Sequence, residues 1–253
     1  MIKKYIKNIL FPFIGPTYTR LKIELEEIKE KKRYHLCQLQ KFEAILLKNG
    51  YSLQNFKKVF EFGCGPGRLL QFFPQIAPEA ELTGCDTVKH LLKITKKVCP
   101  DAHVFINDIA PPLNIENEKF DFIYSYSVFT HLTEENHISW LKELSSKMKP
   151  GGIALHTTHS TECFKRTKVF SPETIKKYEI PMPIDQFISS LDRYYYVMND
   201  PSLPEYGLAV IPQSYIFDNW PKYSGLEVLD YDLGAIEAFP EGCQDIVLLR
   251  KPK

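Results

Sequence analysis

The residues best placed to do chemistry begin at Val59-Phe60-Glu61-Phe62-Gly63-Cys64-Gly65-Pro66-Gly67-Arg68. An apolar run that reads as a strand ends in three glycines at alternate positions. Glycines let a chain turn sharply and let backbone approach a ligand with no Cβ in the way. A helix expected at 67–73 would add free N–H groups and a positive dipole end. That combination suits a nucleotide-like ligand lying above the strand ends. The spacing is not that of a dinucleotide fingerprint, because Arg68 stands where the last glycine of G-x-G-x-x-G belongs, and no G-K-[ST] follows.

Two carboxylates extend the pattern. Asp86 closes a short apolar run, and a carboxylate there can accept from both hydroxyls of a ribose. Asp108, in Ile106-Asn107-Asp108-Ile109, can accept from an adenine amino group while a neighbouring backbone N–H meets a ring nitrogen. Glu61, Asp86 and Asp108 thus end three successive expected strands, an order that fits a ligand with a cationic head, a ribose and an adenine. Plainer roles stand beside these: Asp86 as a helix cap, Asp108 as turn chemistry before Pro111-Pro112, and Glu61 as a brace for the loop.

The elements that must position these groups follow from periodicity. Residues 51–160 alternate strand and helix, with strands expected at 58–62, 82–85, 103–106, 120–126 and 153–158. Helices are expected at 67–73, at 89–98, and from Thr133, an N-cap followed by Glu134 and Glu135, to Met148. Such alternation means a parallel sheet with helices on both faces. Before it, residues 1–50 read as a basic, proline-interrupted arm and one long amphipathic helix over 20–49. Residues 161–211 break the rhythm and read as an inserted cap, with a hairpin formed by 193–198 and 206–211. Residues 212–253 return to the pattern with a helix and two strands, 226–232 and 245–250, able to pair antiparallel.

The order EFGCGPG, Asp86, Asp108, FDFIYSYSVFTHL and LKELSSKMKPGGIALHTTH resembles the Rossmann-like, or class I, S-adenosylmethionine-dependent methyltransferases. The resemblance is strong over 57–160 and moderate over 212–251. It implies an α/β fold: a seven-stranded, mostly parallel sheet with the last strand antiparallel, plus the N-terminal helix and the cap. It implies S-adenosylmethionine as cofactor and S-adenosylhomocysteine as product. It places Gly63, Cys64, Gly65 and Gly67 along the amino-acid part of the cofactor, with Glu61 near its ammonium. Asp86 and Thr87 would hold the ribose, Asp108 and Ile109 would read the adenine, and Ser125 would lie near the methionine moiety and the acceptor.

Catalytic candidates are fewer, because methyl transfer mainly needs donor and acceptor held in line and water kept out. His131 and His159, both expected at strand ends, could act as a base for an acceptor hydroxyl or could brace loops. Tyr194, Tyr195 and Tyr196 could line an acceptor pocket, or pack as hairpin residues do. No metal is expected, since no cluster has ligand spacing. The expected reaction is O-methylation of a sugar, glycan or other small hydroxylated acceptor. Set against it are a non-catalytic cofactor-binding scaffold, a methyltransferase acting on protein or lipid, and an aminopropyl transferase or nicotinamide oxidoreductase on the same fold.

Bulk properties bound the partners. A net charge of +1 gives no field to draw in nucleic acid, and the N/D-P-P-Y/F that marks amino methylation is replaced after the fourth strand by Ser125-Tyr126-Ser127-Val128. The six scattered cysteines suit reduced thiols in a cytoplasm. Residues 1–16, mixing lysines with Ile, Leu and Phe, could rest peripherally on a membrane. No window is long and apolar enough to span one. Composition leaves the oligomeric state open.

Overall fold

A computed structural model describes residue 26, residues 31–166, residue 176, and residues 183–198, 202–237 and 243–253. The basic arm over residues 1–16 lies outside the described residues. Helix α1 (Lys32–Lys48) buries Leu39, Phe42, Ile45 and Leu46 and ends at Asn49-Gly50, where Gly50 takes a φ of 82°. A left-handed residue after a helix is glycine's usual place. The core then runs β1 (Lys58–Phe62), α2 (Phe73–Ile76), β2 (Glu81–Asp86), α3 (Lys89–Val98), β3 (His103–Ile106), β4 (Phe120–Ser125), α4 (Glu134–Lys147) and β5 (Met148–Thr158). The inserted part contains α5 (Thr161–Arg166), α6 (Ile184–Ser189) and the hairpin β6 (Tyr195–Met198) with β7 (Gly207–Val210). The chain closes with α7 (Gln213–Ser224), β8 (Glu227–Glu237) and β9 (Cys243–Arg250).

The main sheet has seven strands in the order β3-β2-β1-β4-β5-β9-β8. The first five are parallel, while β9 is antiparallel to both β5 and β8. This is the expected α/β architecture with its antiparallel last strand. The order reverses direction between β1 and β4, so the loops after those two strands diverge and leave a crevice at the carboxyl edge. One face of the sheet packs under α1 through Phe42, Phe73, Phe122 and Tyr124. The other packs under α4 and α7 through Phe60, Phe62, Trp140 and Trp220. Thr133 caps α4 by accepting the N–H of Asn136 at 3.2 Å, with Glu134 and Glu135 in the first turn, as its sequence dictates.

Two expectations need correcting. The stretch after the glycine loop is not a helix from residue 67: turns lead into a 3₁₀ segment, Leu70–Phe72, and then the single turn of α2. Pro74 lies in the first turn of α2, where its missing N–H costs nothing, whereas inside a helix already running from residue 67 it would remove a backbone hydrogen bond. The loop therefore does not run into a long helix, and no helix dipole points from it. Nor are all six cysteines free, because the sulfurs of Cys163, on α5, and Cys243, opening β9, are joined in a disulfide with Cα atoms 5.1 Å apart. The two lie 80 positions apart in the chain, and only the packing of α5 beside β9 brings them together. Cys37, Cys64, Cys85 and Cys99 are free thiols. No helix among the described residues is long and apolar enough to cross a membrane.

Candidate functional site

The glycine loop leaves β1 with Gly63, Gly65 and Gly67 at φ values of 73°, 52° and 76°. L side chains rarely adopt such backbone, so the three positions need glycine. Space separates their roles. A Cβ on Gly63 would collide with the Val128 side chain, and one on Gly67 would stand 2.9 Å from Val98 and 3.0 Å from Thr95. At Gly65 nothing among the described residues lies within 4 Å, so that position faces an open cleft.

Asp86 ties the loop to the end of β2. Its Oδ2 accepts the Gly65 N–H and its Oδ1 the Val88 N–H, both at 2.8 Å. Thr95 of α3 donates to the Gly65 carbonyl at 2.7 Å, which pins the tip of the loop from the other side. Burial pushes the Asp86 carboxyl up, against the two backbone N–H groups that favour its charge. The next strand end adjoins directly: Asp86 pairs with Ile106, and the Asn107 N–H donates to the Asp86 carbonyl at 3.2 Å. Asp108 is exposed, and the Ile109 carbonyl accepts from Trp140 Nε1 at 2.8 Å. Val88, Ile106 and Ile109 leave 37%, 56% and 40% of their surfaces exposed around this carboxylate.

This donor set fits an adenosyl cofactor. The open side of Gly65 allows backbone approach, Asp86 retains lone pairs for ribose hydroxyls, and the apolar rim of Val88, Ile106 and Ile109 offers a surface for a flat base. Thr87 sits beside Asp86 and Asp108 at the outer rim. Cys64, buried behind the loop, donates its N–H to the Cys85 carbonyl at 2.8 Å.

Glu61 is buried beneath the loop, where Tyr124 donates to its Oε2 at 2.9 Å. Burial first, then the nearby Asp86 charge, pushes its carboxyl up to about 8, against the Tyr124 bond. Ser125 is wholly buried, 2.8 Å from His156 Nδ1, so its hydroxyl is engaged with β5 and not with the loop.

The loop after β4 holds a feature that sequence reasoning missed. Ser127 adopts a φ of 58°, and a non-glycine residue there stores strain. Its N–H donates to Thr157 Oγ1 at 2.8 Å, and Gln244 Nε2 donates to its Oγ at 2.9 Å. Partners 30 and 117 positions away leave no local signal.

The two histidines lie under the inserted hairpin. The N–H groups of Gly207, Ala209 and Ile211 donate to the carbonyls of His131, Thr130 and His159 at 2.9, 2.8 and 2.7 Å. His131 Nδ1 lies 2.8 Å from the Gly207 carbonyl, and its ring stacks on Tyr206 at 4.6 Å. A carbonyl only accepts, so Nδ1 carries the proton and Nε2 keeps the lone pair of the neutral ring. Burial pulls the His131 imidazole down, and burial together with the His131 charge pulls His159 down to about 3. Tyr206 leaves 48% of its surface exposed, and partial desolvation, then the Asp86 charge, pushes its phenol up.

The three tyrosines do structural duty. Tyr194 donates to the Leu132 carbonyl at 2.9 Å, Tyr195 packs edge-on against Phe187, and Tyr196 donates to the Pro204 carbonyl at 2.7 Å. Among the described residues no group of three or more His, Cys, Asp or Glu could hold a metal.

Comparison with known proteins bears on this geometry. Residues 59–152 match the family model described as a methyltransferase domain. The chain is 29% identical over 105 residues to a trans-aconitate 2-methyltransferase of Rhodopseudomonas palustris, covering 40% of this chain and 38% of that one. It is 29% identical over 131 residues to a malonyl-[acyl-carrier protein] O-methyltransferase of Priestia megaterium, covering 50% and 47%. The chain thus spans less than half the length of these curated relatives. Among solved structures it resembles the 1,6-didemethyltoxoflavin-N1-methyltransferase of Burkholderia thailandensis, with that protein's bound 1,6-didemethyltoxoflavin and S-adenosylhomocysteine. The TM-score is 0.56 at 11% identity, over 95% of this chain and 92% of that one, a likeness of fold.

Proposed function

We propose that the chain, whose residues 59–152 match a methyltransferase domain, is a class I S-adenosylmethionine-dependent methyltransferase that transfers a methyl group to the oxygen of a small hydroxylated acceptor. The observation that carries cofactor use is the left-handed Gly65, open to a cleft and hydrogen-bonded to Asp86. Asp86 holds the ribose, with Thr87 beside it. Asp108 and Ile109 read the base, and Gly63, Cys64 and Gly67 fix the loop.

When bound, S-adenosylmethionine supplies a methyl group already activated by positive charge on sulfur. The protein's part is to align the acceptor, exclude water and, for a neutral hydroxyl, take up its proton. His131 suits that last task, because its Nδ1 is committed to the Gly207 carbonyl and burial keeps the ring neutral at neutral pH. His159 beside it is neutral for the same reason and shapes the same wall. The tyrosines of the hairpin are occupied in packing and add no support for a sugar in particular.

A carboxylate acceptor is the second reading. Two relatives are named for trans-aconitate and a malonyl thioester, and both substrates carry carboxyl groups. A carboxylate has no proton to lose, so a base is not needed.

Isothermal titration tests the cofactor assignment: S-adenosylhomocysteine should bind in the micromolar range and NAD should not. Equal binding of the two, or of neither, removes the reading. Labelled methyl transfer to a panel of hydroxyl and carboxyl acceptors then separates the two acceptor classes. With a hydroxyl acceptor, His131→Ala should lower kcat by 10²-fold or more, roughly what general-base catalysis supplies, and leave cofactor affinity intact. Wild-type turnover in that variant would exclude His131 as the base.

A further inference from the structure

Helix α1 lies outside the matched domain, yet it delivers polar side chains to the carboxyl edge of the sheet. Gln38 Nε2 donates to the Tyr126 hydroxyl at 2.7 Å. Tyr126 stands one residue beyond β4, in the loop whose Val128 side chain occupies the space beside Gly63. From the other direction comes Arg68, next to Gly67, and its positive charge acts on both His35 and Tyr126. Four side chains from three elements, two of them on α1, therefore converge between α1, the glycine loop and the β4 loop.

This cluster is built but incomplete. His35 and Gln38 are only 3% and 4% exposed. Neither His35 ring nitrogen nor Gln38 Oε1 completes a hydrogen bond among the described residues, although Gln38 is close enough to His35 to favour its charge. A buried polar atom without a partner costs on the order of 1–3 kcal/mol, so such atoms persist where something else satisfies them. The unmet capacities are complementary. Gln38 Oε1 accepts, whereas the imidazole N–H and the Arg68 guanidinium donate and carry or attract charge. An acceptor beside a neutral imidazole N–H and one guanidinium cation matches a zwitterion, an ammonium and a carboxylate on one carbon.

We propose that His35, Gln38, Arg68 and Tyr126 grip the α-amino-carboxylate end of the methyl donor, so that α1 completes a site whose adenosyl half belongs to the matched domain. The proposal rests on cofactor use as assigned above. What positions α1 is independent of the ligand: Lys48 and Asn49 hold Asp230 of β8 at 2.8 and 2.7 Å, and Glu43 accepts from Ser52 and Leu53 at 2.6 and 2.8 Å. The helix is anchored at its far end and presents the polar cluster at its near end.

The test uses two ligands that differ only in the part concerned. S-adenosylhomocysteine carries the amino-acid end, and 5′-methylthioadenosine lacks it. Titrations of the full chain should give tighter binding of the first by tenfold or more. In Gln38→Leu and His35→Phe that preference should shrink at least tenfold, through loss of S-adenosylhomocysteine affinity with 5′-methylthioadenosine binding unchanged. Arg68→Ala should shift the same way, and its exposed side chain keeps the test open if a buried variant fails to fold. Unchanged preference in Arg68→Ala and in a folded α1 variant overturns the proposal. If the variants instead raise KM for a carboxylate acceptor alone, the cluster serves the acceptor and the donor assignment is again overturned. Failure of wild-type protein to bind either ligand would strike the cofactor reading itself.

Discussion

At the scale of single residues, two glycines two positions apart make different demands. Gly65 has a left-handed φ of 52° and open space before it, so an added methyl meets no protein atom among the described residues. Gly65→Ala should cost about 1 kcal/mol of stability, the strain of a left-handed L-residue, and weaken S-adenosylhomocysteine binding tenfold or more because the methyl enters the cleft. Gly63→Ala adds the collision with Val128 to the same strain and should unfold at distinctly lower urea concentration. Urea titration and calorimetry on the pair decide this, and equal stability losses would count against the spatial distinction. Asp86→Ala removes two backbone bonds of the loop as well as the ribose acceptor. Its affinity loss should be severe, and unchanged affinity would refute the assignment. These residues were legible because each carries a local signature: alternating glycines, or an acid closing a strand. Ser127 and the α1 cluster were not, since they become polar neighbours only through partners on distant strands and helices.

Among elements, the inserted hairpin controls the acceptor side. β7 is stitched to the loops after β4 and β5 by three backbone bonds, and the Gly207 carbonyl also fixes the His131 tautomer. A Cβ on Gly207 would run into the Val197 carbonyl and the Tyr196 ring. Gly207→Ala should therefore shift the hairpin, release His131 and lower kcat by an amount resembling His131→Ala. Cofactor affinity should stay near wild type, because the glycine loop is untouched. Full turnover in Gly207→Ala would mean that the hairpin does not orient the imidazole. The order of strands and helices from β1 to β5 was readable from periodicity, as was the pairing of β8 with β9, because each core element buries one face in its own register. The helix expected after the glycine loop was not, since apolar spacing said nothing of the turns at 65–69 or of Pro74, which a helix tolerates in its first turn and not in its interior. The Cys163–Cys243 bond escaped for a similar reason: spacing carries no information about which elements meet.

For the whole molecule, the distribution of buried imidazoles predicts an acid limit to stability. Burial holds His35 down to about 4, and His137, His156 and His159 each down to about 3. His137 is wholly buried with neither ring nitrogen partnered among the described residues. In the unfolded chain these rings titrate near 6.5. Between about pH 6.5 and pH 4 the unfolded state therefore binds protons that the folded state refuses, and stability falls with pH. Each imidazole contributes on the order of 1 kcal/mol per pH unit over that window. Glu61 acts in the opposite sense. Its folded carboxyl, raised to about 8, gives stability that is present below about 4.5 and lost as pH rises through 8. Asp86 and Asp245, whose carboxyls burial also raises, act in the same sense as Glu61, and the three offset part of the effect of the buried imidazoles. The urea midpoint should drop clearly between pH 7.5 and pH 5, and the drop should be shallower in His137→Leu, which removes one of the protons taken up on unfolding. Identical midpoints at the two pH values, or an unaltered slope in a folded His137→Leu protein, would show that these rings are not held neutral by the fold.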